Sequence, residues 1–428
     1  MLITNVLINN QLTDVRVKNG RIAELGKNLS GQSDYDGGGD KLIPGLHDHH
    51  IHIQATAAAL NSLQCGPPEI HTLADLKHAL NTFAGSGWIR GIGYHESIGY
   101  IDRKWLDTHG PDRPVRIQHR GGRMWVLNSL AVEEVGNWVP SDGRLVDSDK
   151  KLRQALKSQR PDLKPLMDKL LSYGITGVTE VTPGNTREDY DYLTENLSPL
   201  SLSIMGNREL DGLPLAGPLK LHYHDYNLPS LEALTSEIKD AHKADRPVAS
   251  HCVTLAELIL TLSAIEAAGV HAGDRIEHGA VITDDVMPWI KRLGLTVVTQ
   301  PHFLARRQDA YLKDVDSKDH PNLWRVGSLL KAGIPVALGS DAPFEDFNPW
   351  AVMDAAIHRS KHFGETENIT AEDALNAYLK PASNAKGKPR EIKVGAKANL
   401  CLINKQNDVL ATWVKGKLLY QRSNDLIH

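Results

Sequence analysis

Between about residues 43 and 388 the chain alternates short apolar runs with longer amphipathic ones, and this alternation restricts the fold more than any other feature. Strand candidates include Val115–Gln118, Gly177–Glu180, Leu202–Ile204, Leu219–Leu221, Val248–Ser250, Arg275–Glu277, Thr296–Val298 and Val336–Gly339. Helix candidates include Leu163–Tyr173, Leu231–Ala244, Leu255–Ala268 and Ala371–Leu379. Strands separated by helices cannot pair as hairpins; the crossovers make the sheet parallel. No Gly-x-Gly-x-x-Gly follows a strand, so a (β/α)8 TIM barrel is expected rather than an open sheet. The stretch at about 54–165 is too long for one helical crossover and reads as an insertion over one barrel face.

The two ends behave differently. Thr4–Ile8 and the segments flanking Asn19-Gly20 alternate with the strand period, and Asn-Gly between apolar runs marks a hairpin. The tail repeats the pattern, with a strand at Ala398–Ile403 and a hairpin around Lys415-Gly416. The expectation is therefore an α/β chain with two parts. Residues 1–42 and 389–428 form a composite β-sandwich, and residues 43–388 form the barrel domain with its insertion.

Charge narrows the partners. With 48 basic against 52 acidic residues the net charge is −4, so no nucleic acid is expected, and a small-molecule substrate is the better guess. No apolar run approaches the roughly 18 residues of a membrane span, so no membrane partner is expected either. Met1–Ile8 lacks the basic start and small-residue cleavage site of a signal peptide. Cys65, Cys252 and Cys401 are odd in number and far apart, which fits a reducing cytoplasm.

The densest cluster of chemistry-bearing residues is Pro44–His52, ending in Asp48-His49-His50-Ile51-His52. In an extended strand alternate side chains share a face, so His50 and His52 point together and Asp48 with them. Two imidazoles at a strand end make half of a divalent-metal site. One such pair among 20 histidines is weak evidence, so the other strand ends matter. Barrel enzymes carry their chemistry at the C-terminal ends of the strands. There His251 follows Val248–Ser250, His278 follows Arg275–Glu277, and Asp341 follows Val336–Ser340.

These pieces resemble the amidohydrolase superfamily, and within it the YtcJ-like branch of amidohydrolase-3 type proteins. The resemblance rests on Pro44–His52, Gly174–Thr179, the strand with Lys220, His251, Arg275–His278, Gln300-Pro301, Ser328–Leu330 with Ala332-Gly333, and Gly339–Pro343. It implies that His50 and His52 ligate the more buried metal, that His251 and His278 are ligands, and that Asp341 is both ligand and general base. It places Lys220 where many relatives carry a carboxylated lysine bridging two metals. Such a lysine must have a depressed pKa to react with carbon dioxide; the other reading is an unmodified lysine paired with a carboxylate in a one-metal site. The implied cofactor is Zn2+, as one ion or two, and a homo-oligomer is implied as well.

Around this set lie candidates for substrate contact. Where relatives carry a histidine before an Asn-Ser pair, this chain has Arg123, which suits an acidic substrate group or else sits on a lid. Tyr94 and His95, in a segment that also resembles the family, are expected to reach the pocket from the insertion. His302 follows Gln300-Pro301 at the seventh strand end. His222 shares the phase of Lys220, as does His224; both read as spare ligands, substrate contacts or loop histidines. Glu180 orients a ligand histidine or rivals Lys220. Cys252 points away from His251 and is read as a buried structural thiol.

The expected chemistry is hydrolysis of an amide-like C–N bond, N-acyl or N-formyl and open or cyclic. Zinc brings the pKa of bound water to roughly 7, and Asp341 takes the proton and hands it to the leaving nitrogen. The alternatives are a one-metal deaminase of an aromatic amine and a non-catalytic interaction protein on the same fold.

Overall fold

The computed structural model describes residues 1–156, 160–381 and 383–423. Residues 157–159, 382 and 424–428, which fall in the expected insertion, barrel and terminal domain, lie outside the described residues. Met1–His52 with the chain from Leu166 onward makes one compact unit, and Ile53–Pro165 makes another.

In the first unit one sheet of eight strands supplies the barrel. In chain order these are β1 (Leu46–Ile51), β2 (Ile175–Glu180), β3 (Ser201–Gly206), β4 (Ala216–Leu221), β5 (Val248–Cys252), β6 (Arg275–His278), β7 (Thr296–Thr299) and β8 (Val336–Leu338). Every neighbouring pair from β1 to β8 is parallel. The two edges meet just beyond β8. Asp341 N donates to His50 O at 2.7 Å, and His52 N donates to Ala342 O at 2.9 Å. Asp48 Oδ1 accepts from Ser340 N and His50 N, both at 3.0 Å. Asp48 thus fastens the seam between first and last strands instead of joining His50 and His52 as a site residue. Gly339 permits the approach, since a Cβ there would stand 2.5 Å from His50 N.

Helices follow the strands because their apolar residues recur at helical spacing. The helix Leu255–Ala268 starts at Thr254, whose side chain accepts from Glu257 N while Glu257 reaches back in a capping box. It buries Leu258, Leu262 and Ile265 against Leu221, Val248 and Ile276 of the strands. Each such side chain contributes about 1.5–3 kcal/mol by burial. The expected helices at 163–173, 231–244 and 371–379 appear as Lys164–Ser172, Leu231–Lys243 and Ala371–Tyr378.

Strands from both chain ends share a second sheet, ordered Lys417–Gln421, Val409–Val414, Leu400–Ile403, Lys41–Pro44, Leu2–Ile8, Gln11–Lys18, Arg21–Gly26, with Tyr35–Asp36 also paired to Leu2–Ile8. Asn19 and Gly20 have φ of 51° and 72°, the positive pair that a tight two-residue hairpin turn requires. Ile3, Val15, Leu42, Leu400 and Trp413 close one core from residues of both ends.

The unit Ile53–Pro165 carries its own five-stranded sheet. Val115–His119, expected among the barrel strands, pairs here with Ile89–Tyr94 in parallel and with Met124–Leu127 antiparallel. Its apolar pattern is that of any half-buried strand, and only the pairing decides which sheet receives it.

Candidate metal centre

His50, His278 and Asp341 each present a ligand atom within 4.8 Å of the other two. They come from the ends of β1, β6 and β8, and all three are buried. His50 Nε2 stands 3.3 Å from Asp341 Oδ1, and His52 Nε2 stands 3.4 Å from the same oxygen. His278 Nδ1 lies 3.8 Å from Asp341 Oδ2. His278 and Asp341 have φ of 69° and 56°. A left-handed backbone at a residue other than glycine costs on the order of 1–3 kcal/mol and clusters at functional sites. At His278 it breaks the strand alternation, so that Glu277 and His278, though adjacent, both reach His50.

Each imidazole is oriented from behind. His50 Nδ1 donates to the Glu277 carboxylate, which is itself held by Arg275 Nε at 2.5 Å; Arg275 Nη2 donates to His49 O at 3.0 Å. With Nδ1 held by Glu277, His50 turns its Nε2 toward Asp341. His278 Nδ1 meets Gln300 Oε1 at 2.9 Å, and His52 Nδ1 meets Thr182 Oγ1 at 2.9 Å. Glu180 accepts from Thr182 N at 2.8 Å and from Asn185 Nδ2 at 3.1 Å, fixing the turn that carries Thr182. Sequence reasoning named Glu180 but gave no role to Glu277, Gln300 or Thr182. The available signal was that each sits at or just after a strand end whose neighbour is a ligand candidate.

Burial pushes the His278 imidazole down to about 3 against the pull of Asp341. His50 moves up instead: burial and Lys220 oppose its charge, and the carboxylates of Glu277 and Asp341 outweigh them. Burial opposes the Asp341 carboxylate, but His50 and His52 hold it well below the usual range, so it is ionised. Lys220 is shifted down by burial, with Glu277 and Asp341 resisting. Among the described residues, His50 Nε2, Asp341 Oδ1 and Lys220 Nζ are buried with no hydrogen-bond partner. Such atoms are costly unless something completes them, and a divalent cation matches two imidazoles and a carboxylate. The donor set therefore fits a metal ion.

The remaining expected residues divide by location. His251 packs against His278 with ring centroids 4.6 Å apart, and against His222 at 4.4 Å. His222, His224 and His251 form a second group with ligand atoms within 4.8 Å of one another. His302 is buried near Asp341, its imidazole pushed down to about 3 by burial. Cys252 turns from His251 to Thr261 Oγ1 at 3.5 Å, as a structural thiol should.

Tyr94, His95 and Arg123, expected as substrate contacts, lie in the unit Ile53–Pro165. Tyr94 is a core residue: its ring is fully buried, and its hydroxyl donates to Gly99 O at 2.9 Å and accepts from Ile101 N at 3.3 Å. Arg123 closes its guanidinium on Asp147 across the strands Met124–Leu127 and Arg144–Val146, with Nε 2.7 Å from Oδ1. His95 caps a short 3-10 turn by accepting from Ser97 N at 3.2 Å. Each has a local structural task that its sequence position did not reveal.

The barrel, with histidines and a carboxylate at its strand ends, has a fold shared with solved metal-dependent hydrolases. The family described as Amidohydrolase family matches residues 216–420. The chain is 23% identical to an N-substituted formamide deformylase of Arthrobacter pascens, over 91% of this chain and 90% of that protein. It is 22% identical to the Bacillus subtilis protein YtcJ, over 90% of each. Among solved structures, a metal-dependent hydrolase from Pyrococcus furiosus shares the fold with a TM-score of 0.75 at 19% identity, over 94% of this chain and 98% of the other.

Proposed function

We propose that this chain is a zinc hydrolase that cleaves the C–N bond of a small N-formyl or N-acyl compound. The observation that carries the reading is the burial together of His50, His278 and Asp341, where His50 Nε2 and Asp341 Oδ1 have no hydrogen-bond partner among the described residues. His50, His52, His278 and Asp341 would hold the ion. When bound, such an ion acidifies water and polarises a carbonyl.

The residues supply the rest. Glu277 and Gln300 keep the Nδ1 protons of His50 and His278 occupied, so each ring has one defined face toward the site. Asp341, ionised beside His50 and His52, accepts the proton of the attacking water and returns it to the nitrogen of the departing amine. His302, kept neutral by burial near Asp341, would meet the substrate without adding charge. Lys220, uncharged more readily than an exposed lysine, is suited to carboxylation. An N-substituted formamide is the first substrate class to try, because the Arthrobacter pascens relative is a deformylase of such compounds. The three buried, unpaired cysteines support a cytoplasmic setting.

The test is elemental analysis of protein purified without chelator, coupled to a screen of N-formyl and N-acyl amines and amino acids. A bound divalent ion and release of formate or another acid are expected, and Asp341→Asn should abolish turnover while the fold persists. Protein without divalent metal after zinc dialysis, or an Asp341→Asn variant with undiminished turnover, refutes the reading.

A further inference from the structure

We propose that Arg90 and Arg116 form an anion site in the unit Ile53–Pro165, one that takes the carboxylate group of a small organic acid. The two residues are paired in register across the parallel strands Ile89–Tyr94 and Val115–His119. Their neighbours Ile89, Val115 and Ile117 turn into an apolar core, so alternation puts both guanidiniums on the opposite face of the sheet. Gln118, two residues on from Arg116, shares that face, and so does Trp125, its partner on the strand Met124–Leu127.

Two cations placed side by side repel each other, and partial burial adds a cost that carboxylates or hydrogen bonds normally offset. Here the offset is incomplete. Arg90 Nη1 donates to Ser62 Oγ at 2.6 Å and Nη2 to Gln118 Oε1 at 3.4 Å, both neutral acceptors. The Arg116 guanidinium has no hydrogen-bond partner among the described residues, and its Nε is buried. Asp149 is the carboxylate that acts on both arginines, but it accepts from Trp125 Nε1 at 2.7 Å and forms an ion pair with neither.

Tryptophans hold the pair in place. Arg116 Cζ lies over the rings of Trp125 and Trp88 at 5.2 and 5.8 Å, and Arg90 Cζ lies over Trp125 at 5.4 Å. Contact with a ring face fixes a guanidinium without consuming the N–H donors, which lie in its plane. Burial pushes both guanidiniums down to about 10, with Arg116 adding to the effect at Arg90 and Asp149 opposing it at both. Both are therefore charged near neutral pH. Together with Asp149 they leave a single positive charge, which a carboxylate cancels; a doubly charged phosphate would set excess negative charge against Asp149. A carboxylate also matches the guanidinium fork. Arg90, Arg116 and Gln118 are partly exposed, so a small ligand reaches them from solvent.

The experiment titrates the full chain with sodium acetate and, separately, with inorganic phosphate at constant ionic strength, read by tryptophan fluorescence and calorimetry. Arg116→Met and Arg116→Lys are the comparators, and thermal unfolding without ligand checks that the folds match. Saturable acetate binding is expected in the parent, with phosphate weaker. Arg116→Met should weaken acetate binding by about tenfold, the worth of one charge-assisted hydrogen bond. Arg116→Lys, which keeps the charge but not the fork, should weaken it as well. Without ligand, Arg116→Met should unfold at the same temperature as the parent or higher, since it removes a charge that lacks a partner. A purely structural stacking role predicts earlier unfolding instead, and that result overturns the inference. So does the absence of saturable acetate binding, or parent-like binding in both variants. Phosphate binding tighter than acetate overturns the carboxylate assignment.

Discussion

Glu277→Gln tests the idea that the metal centre is built from behind. Glu277 is fully buried between Arg275, which is 4% exposed, and His50 Nδ1. Arg275, Lys220 and His50 together hold its carboxyl far below the usual range despite burial. Replacing the carboxylate by an amide of the same shape leaves the Arg275 guanidinium buried without its counter-charge. Breaking such a pair costs about 3–5 kcal/mol, a large share of the roughly 5–15 kcal/mol that holds a domain folded. The same change removes the acceptor that orients His50, and loss of such a partner weakens metal affinity by about 10- to 100-fold. Urea unfolding of the metal-free protein reads the first effect; competition with a zinc chelator reads the second. Arg275→Met combined with Glu277→Gln should restore part of the stability, since it removes the stranded charge, but not the zinc affinity. A Glu277→Gln variant within about 0.5 kcal/mol of the parent, and within about threefold in zinc affinity, would refute the reasoning.

Other outcomes follow from the same geometry. Tyr94→Phe should lower stability by about 1–3 kcal/mol, because Gly99 O and Ile101 N lose a buried partner, while KM stays unchanged; a raised KM with unchanged stability would return Tyr94 to the substrate. Gly339→Ala should cost about 1–3 kcal/mol and weaken zinc binding, as the added methyl meets His50 N across the barrel seam; equal melting temperatures would deny the close approach. Burial, with Arg390 and Arg275 adding to it, holds His47 well below its usual pKa of 6.5. The unfolded chain therefore gains a proton near that pH that the folded protein does not take until much lower. Stability falls as the pH drops below about 6.5, by about 1.4 kcal/mol per pH unit from this residue. His47→Asn should flatten the acid limb of the metal-free protein by that amount, and an unchanged slope would show that His47 is protonated in the fold.

The sequence alone determined the parts that local rules govern. Strand and helix alternation called for a parallel barrel, and β1 to β8 supply it. Asn19-Gly20 specified its turn through a backbone preference, and Thr254 with Glu257 specified a helix start. The histidines and carboxylate at strand ends were legible because a parallel barrel brings those ends to one face. What the tertiary structure decided is which of them meet. His50 and Glu277 are 227 residues apart in the chain, and His278 joins them through a left-handed backbone that period-2 alternation excludes. Asp48 shared a face with His50 by alternation, yet the closing seam claimed its carboxylate for Ser340. The register of β4 against β5 brings His251 beside His222, and its ring also packs against His278 of the first group. Tyr94 is buried in the apolar core of the unit Ile53–Pro165, which its local sequence alone did not specify. Residue type and local periodicity set what a side chain can do; strand register and long-range pairing, which depend on the whole chain packing at once, set what it touches.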